Sequence, residues 1–119
     1  YRCHGGFNFS TEEFRCNGLF ESYPDSGRQR ITFKPGDKGK FLVPSLRNIG
    51  VTAPYMHNGS ILTLEEVIER YNQGGSSFPN KDPLIQPLGL SEAEKADLKA
   101  FLLSLTDEEF LNNPAFQAY

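Results

Sequence analysis

Helical spacing of apolar residues is confined to two segments of this chain. A capping box of Thr63 and Glu66 opens the first segment. Its apolar residues then recur on one helical face, at Leu64, Val67, Ile68 and Tyr71. We therefore predict a helix that buries Tyr71 and ends at Gly74 and Gly75.

The second helical segment lies near the end of the sequence. Ser91 and Glu94 form another capping box, and an apolar stripe follows at Leu98, Phe101, Leu102 and Leu105. Shorter helices are predicted from a third capping box, Ser10 with Glu13, and from Pro44 to Gly50.

Turn-forming residues fill the remaining sequence, which has eleven Gly and eight Pro. Residues 18–39 read as one long loop with a brief strand at "RITF", and "SSFPNKDPLIQPLG" reads as a Pro-rich connection. Loops of this length in a compact domain are usually functional. The sequence predicts an all-α fold with long ordered loops, as a single domain over residues 1–119.

Composition excludes several classes of partner. The net charge is −3, from 12 basic and 15 acidic residues that are interspersed along the chain. No basic face indicates binding to nucleic acid, which we therefore exclude as a partner. No apolar run reaches the roughly 18 residues that a membrane-spanning helix requires.

The Cys3-His4 pair has the order that covalent haem attachment requires, with the histidine directly after a thioether cysteine. Four phenylalanines that could wall a haem pocket follow: Phe7, Phe9, Phe14 and Phe20. The alternatives are an incidental surface pair and a disulfide between Cys3 and Cys16. Zinc is disfavoured because Cys16 and His57 are the only further ligands of the usual kinds, at an unfamiliar spacing.

Nearly the whole chain resembles one protein family. The segments "CHGGFNFSTEEF…NGL", "KFLVPSLRNIGVTAPYMHNGS", "TLEEVIERYNQGG" and "LGLSEAEKADLKAFLLSLTDEEF" occur in the order of the C-terminal haem domain of bacterial di-haem cytochrome c peroxidases and MauG-like proteins. The resemblance implies a cytochrome-c-like helical domain around one covalently bound haem c. It also implies a periplasmic enzyme whose N-terminal haem domain, absent here, carries a second haem and reduces hydrogen peroxide.

The resemblance assigns roles to individual residues. Cys3 resembles the second haem thioether, with the first attachment cysteine one position before Tyr1, and His4 resembles the proximal iron ligand. Arg47 in "PSLRN" resembles a partner for a haem propionate, which suits its fixed bidentate donors. The backbone carbonyls of Thr52 and Pro54 match ligands of a calcium ion between the two domains.

The distal ligand has two candidates. Met56 is the only methionine, and His-Met ligation is common in cytochromes. Tyr71, however, occupies the position at which the peroxidases place their ligating methionine and MauG-like members a tyrosine, so we favour Tyr71. An anionic oxygen ligand would favour ferric iron and higher oxidation states, whereas a thioether favours ferrous iron. His57 is expected in the haem vicinity or as a structural histidine, and Cys16 as a buried free thiol.

Three functions follow from the resemblance. The leading one is a haem-dependent oxidoreductase domain through which electrons enter a di-haem cytochrome c peroxidase from a small donor cytochrome or copper protein. The alternatives are a MauG-like enzyme that oxidises a protein substrate and a pure electron-transfer module in a larger complex. A homodimer is compatible with each of them.

Overall fold

The computed structural model describes residues 2–116. Its helices are α1 (Gln29–Thr32), α2 (Leu64–Asn72), α3 (Glu92–Leu103) and α4 (Glu108–Leu111). Three short 3₁₀ turns lie at Pro35–Asp37, Ile49–Val51 and Pro114–Phe116. Two strands, β1 (Phe14–Arg15) and β2 (Phe41–Leu42), pair antiparallel, with Phe14 opposite Leu42 and Arg15 opposite Phe41.

The predicted all-α class is wrong. Helices cover about a third of the chain, and the small sheet of β1 and β2 joins the segment after His4 to the middle of the sequence. The physical reason lies in the long turn-rich stretches. Their glycines and prolines interrupt the backbone hydrogen bonds that a helix needs.

The two helices with strong periodicity form as predicted. In α2 the Thr63 side chain accepts from the Glu66 backbone and the Glu66 side chain accepts from the Thr63 backbone, and Ser91 and Glu94 repeat this box at α3. Lys95 pairs with Glu69 at 2.6 Å, and Lys99 pairs with Glu65. These two ion pairs join α2 to α3 on the exposed side of their contact.

Two weaker local predictions fail. Ser10 does not begin a helix, because its hydroxyl accepts from the Glu12 amide at 2.9 Å and donates to the Val43 carbonyl at 2.7 Å. The "RITF" segment is not a strand, since Gln29–Thr32 forms the single helical turn α1.

Two further predictions hold only in part. The helix predicted between Pro44 and Gly50 is reduced to the 3₁₀ turn Ile49–Val51. The apolar stripe of α3 buries Leu102, whereas Leu98 and Phe101 are 36% and 47% exposed.

Apart from Val43, the buried hydrophobic residues among those described form two separate clusters. One contains Cys16, Leu19 and Tyr23, and the other contains Leu64, Ile68 and Leu102. Met56 packs against the first cluster, and Leu46 packs against the second. Cys16 is 1% exposed and unbonded, as predicted. Between residues 2 and 116, no helix has the length and apolar character to cross a bilayer.

Candidate functional site

The His4 imidazole is fixed in orientation by two backbone carbonyls. Its Nδ1 atom lies 3.1 Å from the Phe9 oxygen and 3.2 Å from the Pro44 oxygen, so Nδ1 carries the proton and donates it. The lone pair therefore sits on Nε2, for which the described residues supply no hydrogen-bond partner. Burial lowers the pKa of His4, which favours the neutral imidazole that metals bind.

The turn after His4 is clamped by residues from the middle of the chain. Ser10 donates to the Val43 carbonyl at 2.7 Å, and the Ser45 hydroxyl donates to the Asn8 carbonyl at 2.6 Å. Together with the His4 contact to Pro44, these bonds tie the turn to residues 43–45. The pattern explains why the Ser10 hydroxyl is not free to cap a helix.

Arg47 also contacts the turn after His4. One guanidinium nitrogen donates to the Phe7 carbonyl at 2.8 Å, and the guanidinium carbon lies 4.6 Å from the centre of the Phe7 ring. This geometry is a cation–π contact on an exposed aromatic residue. Arg47 thus holds the turn that carries His4, and its predicted contact with a haem propionate stays a prediction.

The two candidate distal ligands meet at one side chain. The Asn17 amide nitrogen lies 3.3 Å from the Tyr71 hydroxyl and 3.4 Å from the Met56 sulfur. Sequence spacing alone could not reveal this proximity, because the three residues come from a loop, a turn and α2. Tyr71 and Met56 are therefore brought to one place, which is what competition for a single ligand position requires.

Tyr71 lies in the last turn of α2 and is half-buried, so its predicted burial holds only in part. Burial raises the pKa of its phenol, and the hydrogen bond from Asn17 opposes this effect.

Asn17 is the site residue that the sequence interpretation missed. Asn17 lies in the "NGL" segment, which belongs to the family pattern but does not by itself indicate a contact with Tyr71 or Met56. The Asn17 side-chain oxygen accepts from the Leu19 backbone N–H at 3.1 Å and from the Tyr23 hydroxyl at 3.4 Å. Because a backbone N–H can only donate, these contacts assign the amide oxygen and turn the amide nitrogen toward Tyr71 and Met56.

His57 lies beside a different aromatic group. Its ring stacks on Phe41 at a centroid distance of 3.8 Å and meets Phe20 edge-on at 6.0 Å. Burial lowers the pKa of His57, against a smaller opposing effect of Asp25. His57 is exposed and stacks on an aromatic ring, and both of its predicted roles, as a structural histidine and as a residue near the haem, stay predictions.

The predicted calcium ligands lie in the loop after the turn Ile49–Val51. Thr52 and Pro54 are both exposed, and the Ala53-Pro54 peptide bond is cis. Among the residues described, neither carbonyl accepts a hydrogen bond. Their predicted calcium contact stays a prediction.

The donor set fits a haem iron. A neutral imidazole with a free Nε2, held through Nδ1 by backbone carbonyls, is the usual arrangement of a metal-binding histidine. A phenol oxygen and a thioether sulfur are both known axial ligands of haem. Cys3, next to His4, is half-buried and forms no disulfide with Cys16, so its thiol is available for the predicted covalent attachment.

Comparison with known proteins gives matches along most of the chain. A family model described as RoxA-like, cytochrome c-like matches residues 40–73. A cytochrome-c peroxidase named IdrP1 from Denitromonas iodatirespirans is 47% identical over 92 residues, which are 76% of this chain and 24% of that protein. The methylamine utilization protein MauG of Methylorubrum extorquens is 36% identical over 110 residues, which are 89% of this chain and 30% of that protein.

A solved structure matches the fold. A crystal structure of a MauG-like protein associated with microbial copper homeostasis superposes with a TM-score of 0.90 at 40% sequence identity. The match covers 98% of this chain and 45% of that one. A cytochrome-c-like fold is therefore confirmed, although the all-α label is not. The chain spans about a quarter of the length of the curated peroxidases that it matches.

Proposed function

Since the chain belongs to the family of di-haem cytochrome c peroxidases and MauG-like proteins, we propose that it is the C-terminal haem c domain through which electrons enter such an enzyme. The observation that carries this proposal is the fixed His4 imidazole directly after Cys3. Its Nδ1 atom is held by the carbonyls of Phe9 and Pro44, and its Nε2 atom faces no described protein donor.

Cys3 and His4 would hold the haem from one side. Cys3 supplies a thioether bond to the haem, and His4 supplies the proximal nitrogen to its iron. The bound haem would supply one-electron redox chemistry. The contribution of the chain is to keep the His4 ring neutral and correctly turned, because its protonated form could not bind a metal.

Tyr71 is the distal ligand that we favour, with Met56 as the alternative. The Tyr71 hydroxyl accepts a hydrogen bond from Asn17, which suits an oxygen that carries negative charge. Met56 contacts the same amide through its sulfur and packs against the cluster of Cys16, Leu19 and Tyr23. That packing gives Met56 a role that needs no metal.

The remaining residues complete the proposed site. Arg47 would pair with a haem propionate through the guanidinium nitrogens that do not contact Phe7. His57 would lie at the periphery of the haem. The carbonyls of Thr52 and Pro54 would bind a calcium ion between this domain and the N-terminal one.

The activity of the whole enzyme is part of the proposal. Relatives named cytochrome-c peroxidase support hydrogen peroxide as the substrate, reduced at a second haem in the N-terminal domain. Electrons would reach the present domain from a small cytochrome or copper protein, and the enzyme would work in the periplasm. Cell fractionation and a search for the donor with reduced candidate proteins would test these two points.

The proposal is tested on the full-length protein produced with its haems. We expect two covalent haems, loss of one haem from the Cys3→Ala and His4→Gly variants, and peroxide reduction by a reduced donor. A protein that binds no haem through Cys3 would overturn the proposal. One that binds haem but turns over no peroxide would be a pure electron-transfer module.

A MauG-like activity is the second candidate, and the position of Tyr71 favours it. A tyrosine ligand stabilises higher oxidation states of iron, which suits an enzyme that oxidises side chains of another protein. Absorption and paramagnetic resonance spectra distinguish the two ligands. A tyrosine-type ferric signature that disappears in Tyr71→Phe supports this candidate, whereas a methionine-type signature that disappears in Met56→Leu contradicts it.

A further inference from the structure

We propose that Asn17 is a positioning residue that selects the distal ligand, presenting the Tyr71 oxygen to the metal and retaining the Met56 sulfur. This inference rests on the proposed haem-binding function. Its geometric basis is one amide nitrogen that lies 3.3 Å from the Tyr71 hydroxyl and 3.4 Å from the Met56 sulfur. No other described side chain contacts both atoms through hydrogen bonds.

The orientation of the Asn17 amide is fixed from its other end. Its oxygen accepts from the Leu19 backbone N–H at 3.1 Å, and the Tyr23 hydroxyl donates to it at 3.4 Å. Leu19 and Tyr23 are buried, so this anchor is protected from water. Rotation of the amide by half a turn would place N–H groups against the Leu19 N–H and is therefore disfavoured.

The backbone around Asn17 is tied to the segment that follows α2. The Cys16 carbonyl accepts from the Asp82 N–H at 2.9 Å, and the Gly18 carbonyl accepts from the Ser76 N–H at 2.6 Å. At Gly75 a side chain would bring its Cβ within 2.8 Å of the Asn17 carbonyl oxygen, so glycine is needed for this close approach. These backbone contacts fix the position of Asn17 relative to the C-terminal end of α2, which carries Tyr71.

The two N–H groups of the amide perform different tasks. A hydrogen bond to an anionic phenol oxygen is charge-assisted, so it stabilises the ligand form of Tyr71 and withdraws electron density from that oxygen. A bond to a thioether sulfur is weak and uses only one of the two sulfur lone pairs, so its effect is to hold the Met56 side chain where it packs, beside Asn17. One side chain therefore stabilises the ligand form of Tyr71 and restrains Met56.

The test compares Asn17→Asp and Asn17→Leu with the wild-type full-length protein. Aspartate has the same shape and retains the acceptor for the Leu19 N–H but cannot donate to Tyr71, whereas leucine removes both functions without adding charge. We expect both variants to lose the single tyrosine-type ferric signature, to show a mixture of ligand forms, and to shift the midpoint potential of this haem. Asn58→Asp is the matched control, because it adds the same charge at an exposed asparagine whose oxygen accepts from the Ser60 N–H.

The outcomes separate the inference from the proposed function. Wild-type spectrum and potential in both Asn17 variants would overturn the role of Asn17 and leave the haem domain intact. A methionine-type signature in the wild-type protein would also overturn it. Absence of haem in the wild-type protein would instead reject the proposed function. Haem content and thermal unfolding identify a variant that fails to fold, and the isosteric Asn17→Asp then decides the question.

Discussion

The Nδ1 atom of His4 lies 3.2 Å from the carbonyl oxygen of Pro44, 40 residues away in the sequence. The orientation of the histidine therefore depends on a segment that no local pattern connects to it. The Pro44 carbonyl is the acceptor in this contact, because the protonated Nδ1 can only donate. A second bond, to the Phe9 carbonyl, comes from the turn that His4 itself begins.

Replacement of Arg47 should loosen this turn. Arg47→Ala removes the hydrogen bond to the Phe7 carbonyl and the contact with the Phe7 ring, so we expect a loss of about 1 kcal/mol in the free energy of unfolding. Chemical denaturation of the haem-loaded protein measures it. Arg30→Ala, at an exposed arginine of α1, is the control and should change stability by less than about 0.5 kcal/mol.

A conservative variant separates two roles of Arg47. Arg47→Lys keeps the charge but loses the planar fork. If Arg47 also holds a propionate, both variants should change the midpoint potential of the haem. A change in stability with an unaltered midpoint potential would show that Arg47 only stabilises the turn after His4.

Thiol counting should separate the two cysteines. Cys16 is 1% exposed, so we expect it to resist a thiol reagent until the protein unfolds, when one thiol per domain should react. Cys3 should not react in either state, because the proposed haem attachment would consume its thiol. Two reactive thiols after unfolding of the haem-loaded protein would refute attachment through Cys3, and Cys16→Ala identifies which cysteine reacted.

Stability at alkaline pH should depend on Tyr23. Burial raises the pKa of its phenol to about 12, so the native state keeps a proton that the unfolded state releases above about pH 10. The stabilisation is complete below pH 10 and is lost as pH rises toward 12. We expect the advantage in unfolding free energy of the wild type over Tyr23→Phe to shrink across this window. A constant difference from pH 8 to 11 would contradict this expectation.

The helix cap at Ser91 should contribute measurably to stability. Its hydroxyl accepts from the Glu94 backbone N–H at 3.3 Å, and loss of such a cap costs about 1 kcal/mol. Ser91→Ala should show that loss in urea denaturation. Ser77→Ala replaces an exposed serine outside the described hydrogen bonds and should leave stability unchanged; equal effects of the two substitutions would speak against the cap.

The sequence predicted well where the decisive interactions are local. The capping boxes at Thr63 and Ser91 involve residues only three positions apart, so their helices could be predicted from spacing. Ser10 carries the same local pattern, but Val43 takes its hydroxyl, and that competition comes from a segment 33 residues away. Tertiary contacts therefore decided the outcome at Ser10.

The candidate site was predictable only in part for the same reason. Cys3 and His4 are adjacent in the sequence, and their pairing could be interpreted directly. Tyr71 and Met56 could be named as candidate ligands, but Asn17, which contacts both, is joined to them only by folding. Its hydrogen bonds span 39 and 54 residues, beyond the reach of any periodicity argument.

The pairing of α2 with α3 bears on how far a disturbance of the turn after His4 can spread. The turn after His4 contributes no residue to the contacts between these two helices. Those contacts are the buried cluster of Leu64, Ile68 and Leu102 and the ion pairs of Lys95 and Lys99. The turn reaches this pair from outside, through an edge-on contact of Phe9 with Phe101 at 6.2 Å. The contacts that join the two helices are therefore independent of the turn after His4, so a substitution that loosens this turn should leave the pairing of α2 with α3 in place.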